Sequence, residues 1–129
     1  MATSYQSLRE HFITRFKQEP LLIRSPGRIN MIGEHTDYND GFVMPAAIDK
    51  EIIFAIAPSD GKSTTYSIDY NELFEFDIQN PKPVAGPAWA NYLLGMLRQF
   101  VDRGLTVAPF NCVFGGNIPV GSGLSSSAA

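Results

Sequence analysis

The run that most constrains this chain is its last one: Gly115-Gly116-Asn117-Ile118-Pro119-Val120-Gly121-Ser122-Gly123-Leu124-Ser125-Ser126-Ser127-Ala128-Ala129. It follows Phe110-Asn111-Cys112-Val113-Phe114, whose apolar and β-favouring residues predict a strand. Strand, glycine-rich loop and helix start in that order favour a phosphate cradle. Glycine lets backbone N–H groups approach an anion closely, and a helix N-terminus adds free N–H groups and a partial positive charge. Ser-Ser-Ser-Ala-Ala suits a helix start, with hydroxyls available for capping or for Mg²⁺. A flexible Gly/Ser tail is the alternative. The spacing is not that of a Walker A loop, because Ser122 stands where Lys is required, nor of a dinucleotide fingerprint, because Ser126 stands where the third Gly belongs. Isolated helices shorter than about 12 residues are marginal in water. The segment is therefore expected to open a helix completed beyond Ala129, and the chain to be the N-terminal piece of a longer nucleotide-using protein.

A second dense segment is Arg28-Ile29-Asn30-Met31-Ile32-Gly33-Glu34-His35-Thr36-Asp37-Tyr38-Asn39-Asp40-Gly41. Arg28, Glu34, His35 and Asp37 stand among hydroxyl and amide groups, a set able to bind a polyhydroxylated ligand because carboxylates accept from hydroxyls. Other readings stay open. Glu34, His35 and Asp37 could ligate a metal, although the spacing matches neither H-E-x-x-H nor a calcium loop. His35 could be a general base, although no Ser or Cys nucleophile is placed beside it. Asn39-Asp40-Gly41 could be simply a solvated turn.

The remaining sequence predicts an α+β domain. Residues 4–18 carry Tyr5, Leu8, Phe12 and Phe16 at helical spacing, with Ser4 or Ser7 as cap and Pro20 as stop. Leu21–Arg24 is a short strand candidate closed by Ser25-Pro26-Gly27. Glu51–Pro58 and Ser63–Tyr70 flank Asp60-Gly61 and are expected to form a hairpin. Phe74, Phe76 and Ile78 alternate with Glu75 and Asp77, as in a half-buried strand. Residues 88–103 are the clearest helix, with Trp89, Tyr92, Leu93, Met96, Leu97, Phe100 and Val101 as its apolar stripe, Pro87 at its start and Gly104 as a left-handed cap. The expected architecture is a mixed sheet with both helices on one side.

Composition excludes some partners. With 44% apolar and 18% charged residues and a net charge of −3, the chain is not disordered and has no basic cluster for nucleic acid or anionic membrane. Its apolar stretches are too short to span a bilayer, and residues 1–20 lack the apolar core of a secretory signal. The single Cys112 has no intrachain partner, which suits a buried thiol in a cytoplasmic protein.

Together, the two segments resemble the galactokinase branch of the GHMP small-molecule kinases. Gly27 to Gly41 looks like the galactokinase signature, and Pro119 to Ala129 is similar to the ATP motif shared by the superfamily. The resemblance implies an N-terminal GHMP-kinase domain over 1–129, incomplete, with the signature at 27–41 and the phosphate loop at 115–129. It implies transfer of the γ-phosphoryl group of ATP, with Mg²⁺, to the anomeric hydroxyl of galactose. Arg28 would lie near that hydroxyl and the catalytic base, and Glu34, His35 and Asp37 would hydrogen-bond other sugar hydroxyls. Gly121, Ser122, Gly123, Leu124, Ser125, Ser126 and Ser127 would hold the phosphates, with Ser127 toward Mg²⁺. Trp89 matches a position that packs on adenine, while its place in the apolar stripe also suits plain helix core.

The family's catalytic aspartate, its magnesium-binding glutamate and a third glycine-rich motif have no counterpart in these 129 residues. The resemblance leaves open an N-acetylgalactosamine kinase, a non-catalytic galactose sensor or an inactive truncated product. Ser127-Ala128, which sensors can lack, argues for catalysis. Oligomeric state is undetermined, with a monomer expected for a full-length enzyme. The chain in isolation is expected to show no galactose-dependent ATP turnover above a blank, measured on the purified 129-residue polypeptide.

Overall fold

In the computed structural model, which describes residues 4–119, 121–126 and 128–129, the chain forms α1 (Tyr5–Phe16), β1 (Leu21–Asn30), a 3-10 turn (Asp37–Asn39), β2 (Pro45–Pro58), β3 (Ser63–Ser67), β4 (Glu72–Phe76), α2 (Ala90–Asp102) and β5 (Phe110–Gly116). One sheet holds all five strands in the order β1-β2-β5-β3-β4. β5 runs antiparallel to β2 and parallel to β3; the β1–β2 and β3–β4 pairs are antiparallel.

Helix α1 begins as its sequence predicts. Ser4 is the N-cap, its hydroxyl accepting from the Ser7 amide at 3.1 Å. It ends at Lys17, which takes a left-handed φ of 56° and returns its N–H to Ile13 O. Leu8 and Phe12 are fully buried against Ile53, Ala55, Ala57 and Val113. Arg15 adds a cation–π contact, its guanidinium carbon 3.9 Å from the centre of the Tyr66 ring.

The other sheet face carries Phe54, Phe114, Phe110, Phe74 and Phe76. Their rings form a chain of contacts joined by Trp89: Phe54–Phe114 at 5.8 Å, Trp89–Phe114 at 5.1 Å, Phe74–Trp89 at 6.2 Å and Phe76–Phe110 at 5.9 Å between centroids. Leu94 and Leu97 of α2 join Phe76 and Ile78 in the second core cluster, with Phe110 packed against it. Val113 meets α1 whereas Phe110 lies with α2. Along β5 these two residues have opposite parity, so they point to opposite faces. The α+β class is as expected, but the two helices lie on opposite faces of the sheet rather than on one side.

Three local expectations also change. β1 does not stop at Arg24 but runs through Pro26-Gly27 to Asn30. Proline is tolerated there because β1 is an edge strand and its pairing with β2 shifts register between Pro26 and Arg28. The Ser59–Lys62 turn reverses the chain, but β2 and β3 do not pair: β5 lies between them, and the Ser59 amide donates to Pro109 O. Helix α2 ends as expected, with Gly104 at φ 74° and the Gly104 and Leu105 amides returning to Val101 O and Phe100 O. Its buried residues are Ala90, Leu94 and Leu97. Tyr92, Met96 and Phe100, placed in the apolar stripe, are exposed.

Cys112 is buried, and desolvation of the thiolate pushes its thiol up to about 12 from an ordinary value near 9. A raised thiol pKa contributes stability below the unfolded-state value and loses it as pH rises from about 9 toward 12. The slope approaches about 1.4 kcal/mol per pH unit. Urea unfolding at about pH 8 and about pH 10.5 should show a larger alkaline loss for wild type than for Cys112→Ala. In the native state Cys112 should also resist a thiol reagent that labels it rapidly in urea.

Candidate functional site

The signature segment is a tight loop between β1 and β2, closed at its base by two backbone hydrogen bonds. Met31 N–H donates to Met44 O and Met44 N–H donates to Ile32 O, both at 3.0 Å. Inside it, Thr36 is the organising residue. Its hydroxyl lies 2.7 Å from Gly33 O and 3.0 Å from Phe42 O, sharing one proton between them. Its carbonyl accepts the Asn39 amide at 3.1 Å and the Gly41 amide at 2.7 Å. Two glycines make this packing possible. A Cβ on Gly33 would enter the Phe42 carbonyl, and one on Gly41 would lie 2.6 Å from Thr36 Cβ. Gly33 also needs a φ of 105°, which L side chains rarely adopt.

The loop holds His35 and Asp40 in left-handed backbone, with φ of 60° and 56°. Such strain in non-glycine residues persists only where surrounding contacts enforce it. At His35, the Asn39 side-chain amide donates to the backbone carbonyl at 2.8 Å. The ring Nδ1 lies 2.6 Å from the Tyr38 hydroxyl, so that hydrogen bond sets the ring's orientation. Glu34, His35 and Asp37 are all exposed, as is Arg28 on β1. The segment thus presents two carboxylates, an imidazole and a guanidinium to solvent from a rigid scaffold. A plain solvated turn requires neither the strained His35 nor the Thr36 scaffold.

The glycine loop leaves β5 at Gly116. Asn117 continues the ladder with its side chain: Oδ1 accepts the Glu51 amide at 2.8 Å while its own N–H donates to Glu51 O at 3.1 Å. Asp69 accepts the Gly116 amide at 2.9 Å from the other side. The Glu51 carboxylate in turn accepts from Arg24 Nε at 2.5 Å and Tyr5 Oη at 3.3 Å. These contacts moor the entrance to the loop to β1, β2, α1 and the β3–β4 turn. Sequence reasoning did not single out Asn117, Glu51, Arg24 or Asp69. The available signal was an Asn directly after paired glycines at a strand end.

Gly121, Gly123 and Ser125 have φ of 72°, 73° and 62°. Among the described residues the space beside both glycines is open, since a Cβ at either would meet none of their atoms within 4 Å. Uncovered backbone with alternating left-handed residues is the kind of concavity that binds anions. Ser122 Oγ donates to Pro119 O at 2.6 Å, fixing the turn. Ala128 and Ala129 amides both return to Ser125 O at 3.0 Å, which makes one turn rather than a helix among the described residues. Ser127, expected toward Mg²⁺, lies outside the described residues. No group of three or more His, Cys, Asp or Glu suited to a metal occurs among the described residues. Glu34, His35 and Asp37 therefore do not form a metal centre by themselves.

Among the described residues a backbone hydrogen bond joins the two segments, the Arg28 amide donating to Leu124 O at 3.1 Å. Trp89 is further off along the aromatic chain, its Nε1 donating to Glu72 at 2.8 Å. It is the N-cap of α2, half-buried and edge-on to Phe114 and Phe74.

A family model described as the galactokinase galactose-binding signature matches residues 10–58. The structure of Lactococcus lactis galactokinase complexed with galactose is 36% identical, with a TM-score of 0.87 over 96% of this chain. The chain carries a galactokinase signature. Similarity to galactokinase reaches well beyond residues 10–58, since the matched structure covers 96% of the chain. Mevalonate kinase of Methanococcus jannaschii (19% identity, TM-score 0.66, 86% of this chain) and a D-glycero-D-manno-heptose 1-phosphate kinase of Bacteroides thetaiotaomicron (22%, 0.64, 82%) share the fold. The fold is thus that of the N-terminal domain of GHMP kinases. The chain spans about a third of the length of these proteins, 34% of the galactokinase and 37% of each of the other two.

The galactokinase signature depends on the Thr36 scaffold. Gly33→Ala should lower stability by about 1 to 3 kcal/mol, through strain at positive φ and the collision with Phe42 O. Urea denaturation measures it, and Gly61→Ala, where a Cβ meets open space, should cost much less.

Proposed function

We propose that the chain forms the sugar- and nucleotide-binding part of a galactokinase, which phosphorylates the anomeric hydroxyl of galactose with ATP. The observation that carries this reading is the Arg28–Leu124 hydrogen bond. It brings a signature segment rich in sugar-binding groups against a loop with open, left-handed glycines. Phosphoryl transfer depends on alignment and charge neutralisation more than on covalent chemistry by the protein. A fold that fixes acceptor and donor segments to each other supplies the first.

In this reading Glu34, His35 and Asp37 accept or donate to sugar hydroxyls, and Arg28 stands beside the reacting hydroxyl with its charge toward the transferred group. Gly121, Ser122, Gly123, Leu124, Ser125 and Ser126 surround the phosphates with backbone N–H groups and hydroxyls. The open space at Gly121 and Gly123 fits such a group. Mg²⁺ would neutralise phosphate charge when bound. It would be held largely by phosphate oxygens with Ser127, because Mg²⁺ commonly uses few protein ligands in kinase sites. Trp89 would border the adenine while keeping its place in the aromatic core. The matched galactokinase is complexed with galactose, which supports galactose as the sugar here. The domain would be the N-terminal part of a longer cytoplasmic enzyme, with its catalytic base on residues beyond this segment.

The test is formation of galactose 1-phosphate from galactose and ATP by the protein as its cell makes it. N-acetylgalactosamine serves as the competing acceptor. Asp37→Ala should raise the KM for galactose about tenfold or more, the loss of a hydrogen bond to a charged group, with little change in the KM for ATP. Equal use of both sugars, or no sugar phosphate at all, would overturn the galactokinase reading.

A further inference from the structure

Gly27 is buried at the point where the register of β1 and β2 breaks. Pro26 pairs with Glu51 and Arg28 with Ala47, so this one residue faces three, Ile48 to Lys50. Such an irregularity releases backbone groups from the ladder, and the Arg28 amide turns to Leu124 O at 3.1 Å. The space above Gly27 is already taken. A Cβ there would lie 2.9 Å from Leu124 O, 3.1 Å from Ile48 Cδ1 and 3.2 Å from Ile118 Cδ1. Real Cβ atoms almost never come within 3.0 Å of another heavy atom. The two isoleucine methyls can rotate away, but a backbone carbonyl can move only with its loop.

We propose that Gly27 is a positioning residue, the seat of a latch that holds the Gly121–Ser126 loop against the signature strand through Arg28 N–H and Leu124 O. Its missing side chain sets the distance between the two segments. Ile118, buried just before the loop, and Ile48 close the sides of the seat. Adding one methyl group at Gly27 pushes the loop off the strand without altering any group that contacts a ligand. The kinetic part of this inference rests on the proposed phosphotransfer; the latch itself does not.

Amide hydrogen exchange tests the latch directly. In wild type the Arg28 amide should be protected, although it has left the β1–β2 ladder. Gly27→Ala should reduce that protection about tenfold or more, as expected for one lost hydrogen bond, while far-UV circular dichroism stays native. An Arg28 amide that exchanges freely in wild type would overturn the latch, as would one still protected in Gly27→Ala; the wild-type measurement decides even if the variant does not fold. The triple variant Gly27→Ala/Ile48→Val/Ile118→Val lacks both crowding δ-carbons and should remain unprotected, because the carbonyl collision persists. Full recovery of protection would show that side-chain crowding, not the latch, is what Gly27 relieves.

The positioning role is read from kinetics of the protein as its cell makes it. Gly27→Ala should lower kcat about 100-fold, the scale of a misalignment of about 1 Å, with each KM changed far less. An unchanged kcat alongside a released Arg28 amide would overturn the positioning role. If wild type makes no sugar phosphate, the galactokinase reading fails, and exchange alone decides whether the latch exists.

Discussion

Everything in this domain hangs on the pairing of β5 along both of its edges. Its antiparallel bonds to β2 and parallel bonds to β3 join two antiparallel pairs, β1–β2 and β3–β4, into one sheet. Its side chains serve both faces, Val113 in the α1 core and Phe110 and Phe114 in the aromatic layer beneath α2. The same strand delivers the glycine loop. The proposed phosphate-binding role of that loop needs a rigid origin, and the end of a central strand supplies one. The reciprocal bonds between Asn117 and Glu51 carry the ladder one residue further.

The signature segment obtains its rigidity differently. It has no long run of ladder bonds, and Arg28, Glu34, His35 and Asp37 are all exposed. Order comes instead from the compact knot around Thr36, where glycines allow backbone to meet backbone without a Cβ between. The strained φ of His35 is the mark of that constraint. Hydrogen bonds to a polyhydroxylated ligand reward side chains already oriented before binding, since ordering them afterwards would cost entropy.

How much was legible beforehand depended on range in sequence. The Ser4 cap, the Gly104 cap, the alternation of Phe74 and Phe76 and the β5 strand were all readable, because each rests on residues within a few positions of one another. The chain reversal near Asp60-Gly61 was readable too, but not that β5 would separate the strands it joins. A turn signal specifies a change of direction, not the partner. Trp89 had both a core and an adenine reading. It caps α2 and lies edge-on to Phe74 and Phe114, half-buried, and the adenine role remains part of the proposed function.

By itself the sequence determined the two chemical segments, Arg28 to Gly41 and Gly115 to Ala129, and the α+β class, because residue type and short-range spacing carry that information. Tertiary structure alone decided that α1 and α2 cover opposite faces, that α2 buries Leu94 rather than Tyr92 and Met96, and that β1 continues through Pro26. It also decided that Arg28 meets Leu124 across nearly a hundred residues of chain. Periodicity says that a face is apolar, not which surface covers it. Pairing order and the seat at Gly27 arise only when strands distant in sequence compete for the same edges.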